Sequence, residues 1–429
     1  MNQNNTLMHQ TPVQKPFIGL AVLAKMAFLG EDLSPIGNQM LERIAANPND
    51  ANALMDMSII LHLKGNRELG LALQSQALDI QKIYRLGTAA KSKGTHLLAL
   101  LSPGDLTQNN VVEFLVEGSD VVLDMLYVTP ETNLSECIPE HDVLMIAVSE
   151  SDRNRPLLKH IEDLTKLWSG PIINLPDKIS RTCRDEACEL LHTELGIVVP
   201  VTVRINRETL KKIGQEQIAL SSFNDVALPI IVRPVDSHKG IGLKKLNRHI
   251  DILEYLKVQL EEDFYISRFV DYQNKDGLFR KYRIVFIGGK AFVCHMAISE
   301  NWMVHYMSAG MTNSLEKRNE EARFMESFDT DFGLKHQKVF NNIVDKVGLE
   351  YFGIDCGETA DGDLLIFEID SSMTIHAMDP IDDFPYKHVQ LRKVFNAFLD
   401  LLNNTKNHSP FDQNHFRKSN GSSLQSGIT

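Results

Sequence analysis

No run of 18 or more consecutive apolar residues occurs in the 429-residue sequence, so no membrane span is expected. Positive charge is in short supply. Lys and Arg number 44 against 56 Asp and Glu, a net charge of −12. An acidic surface of this size argues against broad binding of nucleic acid or anionic membrane. It leaves room for a local basic pocket that holds a phosphate. Cysteine is scarce, with five residues at 137, 183, 188, 294 and 356. Cys183 and Cys188 are not followed by a His or Cys pair at ligand spacing. Neither a zinc site nor a disulfide framework is expected, and reduced thiols in a cytoplasmic protein are the reading. The G-x-G-x-x-G of a dinucleotide site is also missing, since the first apolar run ends in Ser102-Pro103-Gly104. Residues 17–29, FIGLAVLAKMAFL, are interrupted by Lys25 and follow a nearly uncharged segment. They predict an amphipathic or buried helix rather than an export signal.

What is present is an ordinary globular composition, 43% hydrophobic and 23% charged, long enough for two to three domains. Residues 1–15 are polar and aperiodic, and 403–429 are rich in Asn, Ser and Gly. Both ends are expected to be disordered. Residues 17–90 read as helical. Leu54, Met57, Ile60 and Leu61 mark one face, Gly65-Asn66 a turn, and Leu69, Leu73, Ala77 and Leu78 a second helix. The pattern resembles one tetratricopeptide unit, but one unit cannot bury its face alone. A helical hairpin packed on the rest of the chain is expected, with contact to a protein partner or a second copy as the alternative. Residues 95–175 alternate short Val/Ile/Leu runs with segments of helical length, which predicts a small parallel α/β sheet. Residues 176–402 predict a mixed region. Strands are expected at 198–204, 228–235, 264–270, 280–288, 290–299, 351–357 and 363–370, and helices at 184–195, 333–348 and 386–402. The fold class is therefore α/β and α+β.

The chemistry begins at YFGIDCGETADGDLLIFEID, 351–370. Glu368 and Asp370 lie two apart on one strand and share a face. The Asp361-Gly362 turn favours a tight return, which would bring Asp355 near Glu368. Three acids on one face repel one another, and burial without a cation is costly. An all-oxygen ligand set suits magnesium or manganese. In PIIVRPVDSHKGIGLKKL, an apolar strand delivers Arg233 into a loop containing His238, Lys239, Gly240 and Gly242. Backbone N–H groups in such a loop can cover a phosphate, and Arg233 adds a fixed charge. In FYISRFVDY, Phe269 and Val270 stand where the chain changes direction. Lys281 and Arg283 share one face of the 280–288 strand. His295, Trp302, His305 and Tyr306 follow, a polar and aromatic group suited to a substrate pocket.

Read in order, these segments resemble the ATP-grasp superfamily, and within it the RimK-like and glutathione-synthase-like ligases. The resemblance covers about 170–402, and residues 95–170 resemble the α/β domain that commonly precedes it. It implies ATP and Mg2+ as cofactors and an acyl-phosphate reaction joining a small-molecule or peptide carboxylate to an amine or other nucleophile. It implies metal binding by Asp355, Glu368 and Asp370, and adenine flanked by Phe269 and Val270. It places Arg233, Arg283 and Lys281 at the phosphates, with Arg181 or Arg184 at a further cationic position. The sequence departs from the pattern with Glu186 and Arg233 where Lys is usual, and with Asp370 where Asn is usual. A small-molecule kinase and an ATP-binding scaffold are the alternatives.

Overall fold

The computed structural model describes residues 15–87, 94–132, 138–237 and 240–407. The fold is mixed α/β, as expected, with three sheets. The first sheet contains β1 (Ile83–Leu86), β2 (His96–Leu101), β3 (Val122–Tyr127), β4 (Val143–Ile146) and β5 (Ile172–Ile173), in the order β1-β3-β2-β4-β5. Its inner strands are parallel, and β1 is an antiparallel edge. That edge corrects the all-helical reading of 17–90. Tyr84 is fully buried, while Arg85 turns outward to Asp124 at 2.6 Å. This in–out alternation defines a strand only once β3 is beside it.

Four helices precede β1: Leu20–Phe28, Ser34–Ala46, Ala51–Leu63 and Arg67–Ile80. Leu23, Leu54 and Ile60 share one core with Leu97, Leu123 and Met145 of the sheet. The same core takes in Leu391, Val394 and Phe398 of the long final helix Pro385–Asn407. The helical hairpin is thus covered by its own chain. The final helix also occupies 403–407, where a disordered tail was expected to begin. Residues 1–14 and 408–429, together with Cys137, His238 and Lys239, lie outside the described residues. Among the described residues no helix is long and apolar enough to cross a membrane, and Cys183, Cys188, Cys294 and Cys356 are buried free thiols.

The first helix is tied down by two acids. The Ile18 and Gly19 amides donate to Asp56, and the Ala21 amide donates to Glu113 at 2.8 Å. Burial pushes Glu113 up to about 7, against the opposing pull of the Ala21 and Leu20 amides. The folded chain therefore holds a proton that the unfolded chain releases near its ordinary pKa of 4.5. Stability falls as pH rises through that window, by up to roughly 3 kcal/mol. Glu113→Gln keeps an acceptor and removes the charge. Thermal melts across the window are expected to flatten in this variant, with a higher Tm than wild type at about pH 8. Asp56, raised to about 6 by burial, retains a smaller slope at lower pH.

The remaining strands begin with β6 (Ile197–Val198) and β7 (Thr202–Asn206). They replace the single strand expected at 198–204. Pro200 lies between them, and a proline has no N–H to give a ladder, so the chain leaves one sheet and enters another. The second sheet has the order β7-β10-β8-β9, with β8 (Ile230–Pro234), β9 (Lys244–Leu246) and β10 (Asp263–Arg268). Helices Arg207–Gly214 and His249–Val258, absent from the sequence reading, accompany it, and so is Leu315–Ser327 farther on. The third sheet has the order β12-β11-β13-β14-β6, with β11 (Phe279–Ile287), β12 (Lys290–Ser299), β13 (Tyr351–Glu358) and β14 (Leu364–Asp370). All its pairs are antiparallel except β14–β6. The helix before β13, Gln337–Val347, ends on Gly348 in the left-handed conformation at φ 66°, a common glycine stop.

Candidate nucleotide and carboxylate site

Adjacent strands of the third sheet set the centre of the site. Asp355 on β13 stands opposite Glu368 on β14 and opposite Arg283 on β11. Asp355 is 2% exposed. It accepts from Lys281 Nζ at 2.7 Å and from Arg283 Nε and Nη2 at 2.8 and 3.0 Å. Burial works to raise its pKa, but Arg283 and Lys281 outweigh burial and hold it well below the carboxylate range. Arg184, at the start of helix Arg184–Leu191, donates to the Glu368 carboxylate and, at 2.8 Å, to the Phe367 carbonyl. Burial pushes Glu368 up as well, and Arg184 with Lys281 and Arg233 brings it below its ordinary value.

These contacts correct the premise that the acids stand unpaired. The charge of Asp355 is met by two cations of the same chain, and that of Glu368 by a third. Asp370 differs. Its carboxylate accepts from the Ser372 amide and hydroxyl, both at 2.7 Å, while burial and the neighbouring Glu368 raise its pKa. Among the described residues no three His, Cys, Asp or Glu side chains form a set ready to hold a metal.

Arg233 reaches this cluster from the second sheet, on β8. Its guanidinium donates to the Ser237 hydroxyl at 3.2 Å and to the Ser237 carbonyl. It forms no ion pair with any described residue. Burial and then the like charge of Arg184 pull it down to about 9, with Glu368 opposing. Four cations, Arg184, Arg233, Lys281 and Arg283, therefore gather with three acids, Asp355, Glu368 and Asp370. Arg181 is exposed on a short 3-10 turn, and no contact with a described residue joins it to the cluster.

The glycine loop follows Arg233. Gly240 and Gly242 have φ of 74° and 70°, and a Cβ on Gly242 would stand 2.6 Å from the Pro234 ring. Tyr255 pins the turn by donating to the Gly242 carbonyl at 2.8 Å. At the direction change after β10, the Phe269 amide already donates to the Pro229 carbonyl at 2.8 Å. It is not free to read an adenine edge. The Phe269 ring instead makes a surface, with Lys245 Nζ 3.5 Å from its centroid and Trp302 edge-on at 5.7 Å. Val270 packs beside it against the core. Trp302 thus belongs to the hinge, apart from the histidines with which it was grouped.

His295, His305 and Tyr306 do come together. With Lys281 and Arg283 they line a cavity of about 150 Å3, and the His295 and Tyr306 rings are 4.6 Å apart. Burial, then Arg283 and Lys387, hold His295 neutral, well below the usual imidazole value. Sequence reasoning missed the opposite wall. Lys387 is nearly fully buried, with its Nζ 3.2 Å from Asp379, 3.8 Å from Glu321 and 3.9 Å from the Tyr306 ring centre. Glu321, fully buried, accepts from the Tyr306 and Tyr386 hydroxyls at 2.9 and 2.6 Å and from the Met296 amide. Nothing in PYKHVQLRK distinguishes Lys387 from an exposed lysine in the first turn of a helix.

No family model and no curated relative matches the sequence. Solved structures are matched at low identity and low TM-score. A RimK-domain ATP-grasp protein from Sphaerobacter thermophilus is 15% identical, with a TM-score of 0.42 over 71% of this chain and 99% of its own. The VanG D-Ala:D-Ser ligase of Enterococcus faecalis is 13% identical, with a TM-score of 0.43 over 73% of this chain and all of its own. D-alanyl-alanine synthetase A from Vibrio cholerae is 14% identical, with a TM-score of 0.45 over 74% of this chain and all of its own.

Proposed function

We propose that this chain binds magnesium–ATP between its second and third sheets and uses it to join a carboxylate to an amine or other nucleophile. The observation that carries the reading is Arg233, a half-buried cation that forms no ion pair with a described residue and stands beside a second cation, Arg184. Arg184 is already paired with Glu368, so the charge left unmet is that of Arg233, and a polyphosphate offers several oxygens to its planar guanidinium donors. The glycine loop that follows Arg233 would lay backbone N–H groups along the same anion.

The acids fit a divalent ion in their chemistry. Glu368 and Asp370 are neighbouring oxygen donors on β14, and the raised pKa of Asp370 is what a cation there would reverse. Magnesium commonly takes one or two carboxylates and completes its shell with phosphate oxygens and water. When bound, it would neutralise charge on the transferring phosphoryl group. Asp355 has a different role. It anchors Lys281 and Arg283 and aims both side chains. Arg283 then stands between the phosphate end and the cavity beyond it.

The reaction this supports runs in two displacements. A carboxylate oxygen in the cavity attacks the γ-phosphorus, and ADP leaves. The amine attacks the acyl carbon, loses a proton, and phosphate leaves. Lys281, Arg283 and Arg233 would stabilise the charge that develops on the phosphoryl oxygens. A screen of amino acids and small carboxylic acids for ADP release, with mass spectrometry of the products, tests it. A ligase yields ADP, free phosphate and a coupled product. A phosphorylated product without free phosphate would replace the reading with a kinase, and ATP binding without turnover in any mixture would replace it with a scaffold.

A further inference from the structure

Side chains of the second sheet alternate between two faces. Ile230, Val232, Leu246 and Phe264 share a core with Leu210 and Ile213 of helix Arg207–Gly214 and with Ile252 and Leu256 of helix His249–Val258. The opposite face carries Ile231 and Arg233 of β8. Lys245 of β9 joins them, because it pairs directly with Ile231. Lys245 is half-buried. Its Nζ lies 3.5 Å from the centroid of the Phe269 ring, and it makes no ion pair or hydrogen bond with a described residue. Its charge, like that of Arg233, is therefore met by no acid among the described residues.

The three groups stand in a fixed order along β8. Phe269 is at the Pro229 end, where its amide donates to the Pro229 carbonyl. Lys245 is level with Ile231. Arg233 stands two residues, or about 7 Å, farther along, and the glycine loop follows it. An aromatic surface, a first cation and a second cation thus follow one another. An adenine nucleotide has the same order, with the base first, the α-phosphate beyond the ribose, and the β- and γ-phosphates last. We propose that Lys245 is a nucleotide-binding residue that leaves the face of Phe269 to pair with the α-phosphate, so that the freed ring takes the adenine. The flexible four-carbon stem of lysine permits the move. A phosphate offers a full opposite charge and charge-assisted hydrogen bonds, where the ring offers only its quadrupole. The inference rests on the proposed function for the presence of a nucleotide between the two sheets, but not on any bond-forming step.

The test titrates the whole protein with adenosine, AMP, ADP and ATP, all with magnesium chloride, by calorimetry. Wild type is compared with Lys245→Met and Lys245→Arg. Methionine keeps an unbranched stem and a favourable contact with the ring, and arginine keeps the charge. Wild type is expected to bind AMP more tightly than adenosine. Lys245→Met is expected to weaken AMP, ADP and ATP by one common factor of about 10–100-fold, with adenosine bound as in wild type. Lys245→Arg is expected to restore most of the loss. Equal losses for adenosine and AMP, a loss confined to ADP and ATP, or unchanged affinities in Lys245→Met would overturn the inference while wild type still bound ATP. The expected pattern in a protein that couples no carboxylate in the product screen would overturn the proposed ligase and leave this inference standing.

Discussion

Arg233→Ala is expected to weaken ATP binding by about 30–1000-fold, the range for removing a charge-assisted contact of about 2–4 kcal/mol. The fold is expected to survive. Among the described residues Arg233 donates only to Ser237, four residues along the same chain, and shares no ion pair. Its removal also relieves the repulsion from Arg184. Tm without ligand should therefore stay level or rise slightly, while the thermal shift produced by ATP shrinks. Adenosine, which has no phosphate, should bind variant and wild type alike. A variant that keeps the full ATP-induced shift would remove Arg233 from the phosphate site.

Asp355→Ala is expected to act in the opposite way, on the protein before any ligand. Asp355 is the shared acceptor of Lys281 and Arg283, whose side chains are only 17% and 23% exposed. Removing one member of such a buried cluster leaves the others uncompensated, at about 3–5 kcal/mol. For a chain of 429 residues that corresponds to a fall in Tm of roughly 3–6 °C, read by scanning calorimetry. The sign decides between two roles. An acid held only for an absent cation would repel Glu368, and its loss would leave Tm unchanged or raise it. A clear fall marks Asp355 as the anchor of the two cations.

These two residues also show what could be read from sequence. The hairpin was legible because alternation, an Asp-Gly turn and a two-residue spacing are local properties. They brought Asp355 near Glu368, and the observed register sets the two directly opposite. Lys281 and Arg283 were legible as sharing a strand face, and both reach the same carboxylate. The pairing of acids with cations was not legible. Arg283 and Asp355 are 72 residues apart, and Arg184 and Glu368 are 184 apart. Spacing along the chain shows three acids but not the cations that meet them. The cavity wall was hidden for the same reason. Phe28, His376 and Lys387 come from both ends of the chain and meet only through the core that the first and last helices share. The edge strand β1 was hidden because four residues after a helix carry no period of their own.

The central claim, that Arg184 and Arg233 form a phosphate-binding site served by the neighbouring acids, is tested most directly by calorimetric titration of the whole protein. ATP, with and without magnesium chloride, is compared with adenosine. The account predicts that ATP with magnesium binds at least about a hundredfold more tightly than adenosine, and that withdrawing magnesium weakens ATP but leaves adenosine unchanged. Equal affinity for ATP and adenosine, or no binding of ATP, would contradict it.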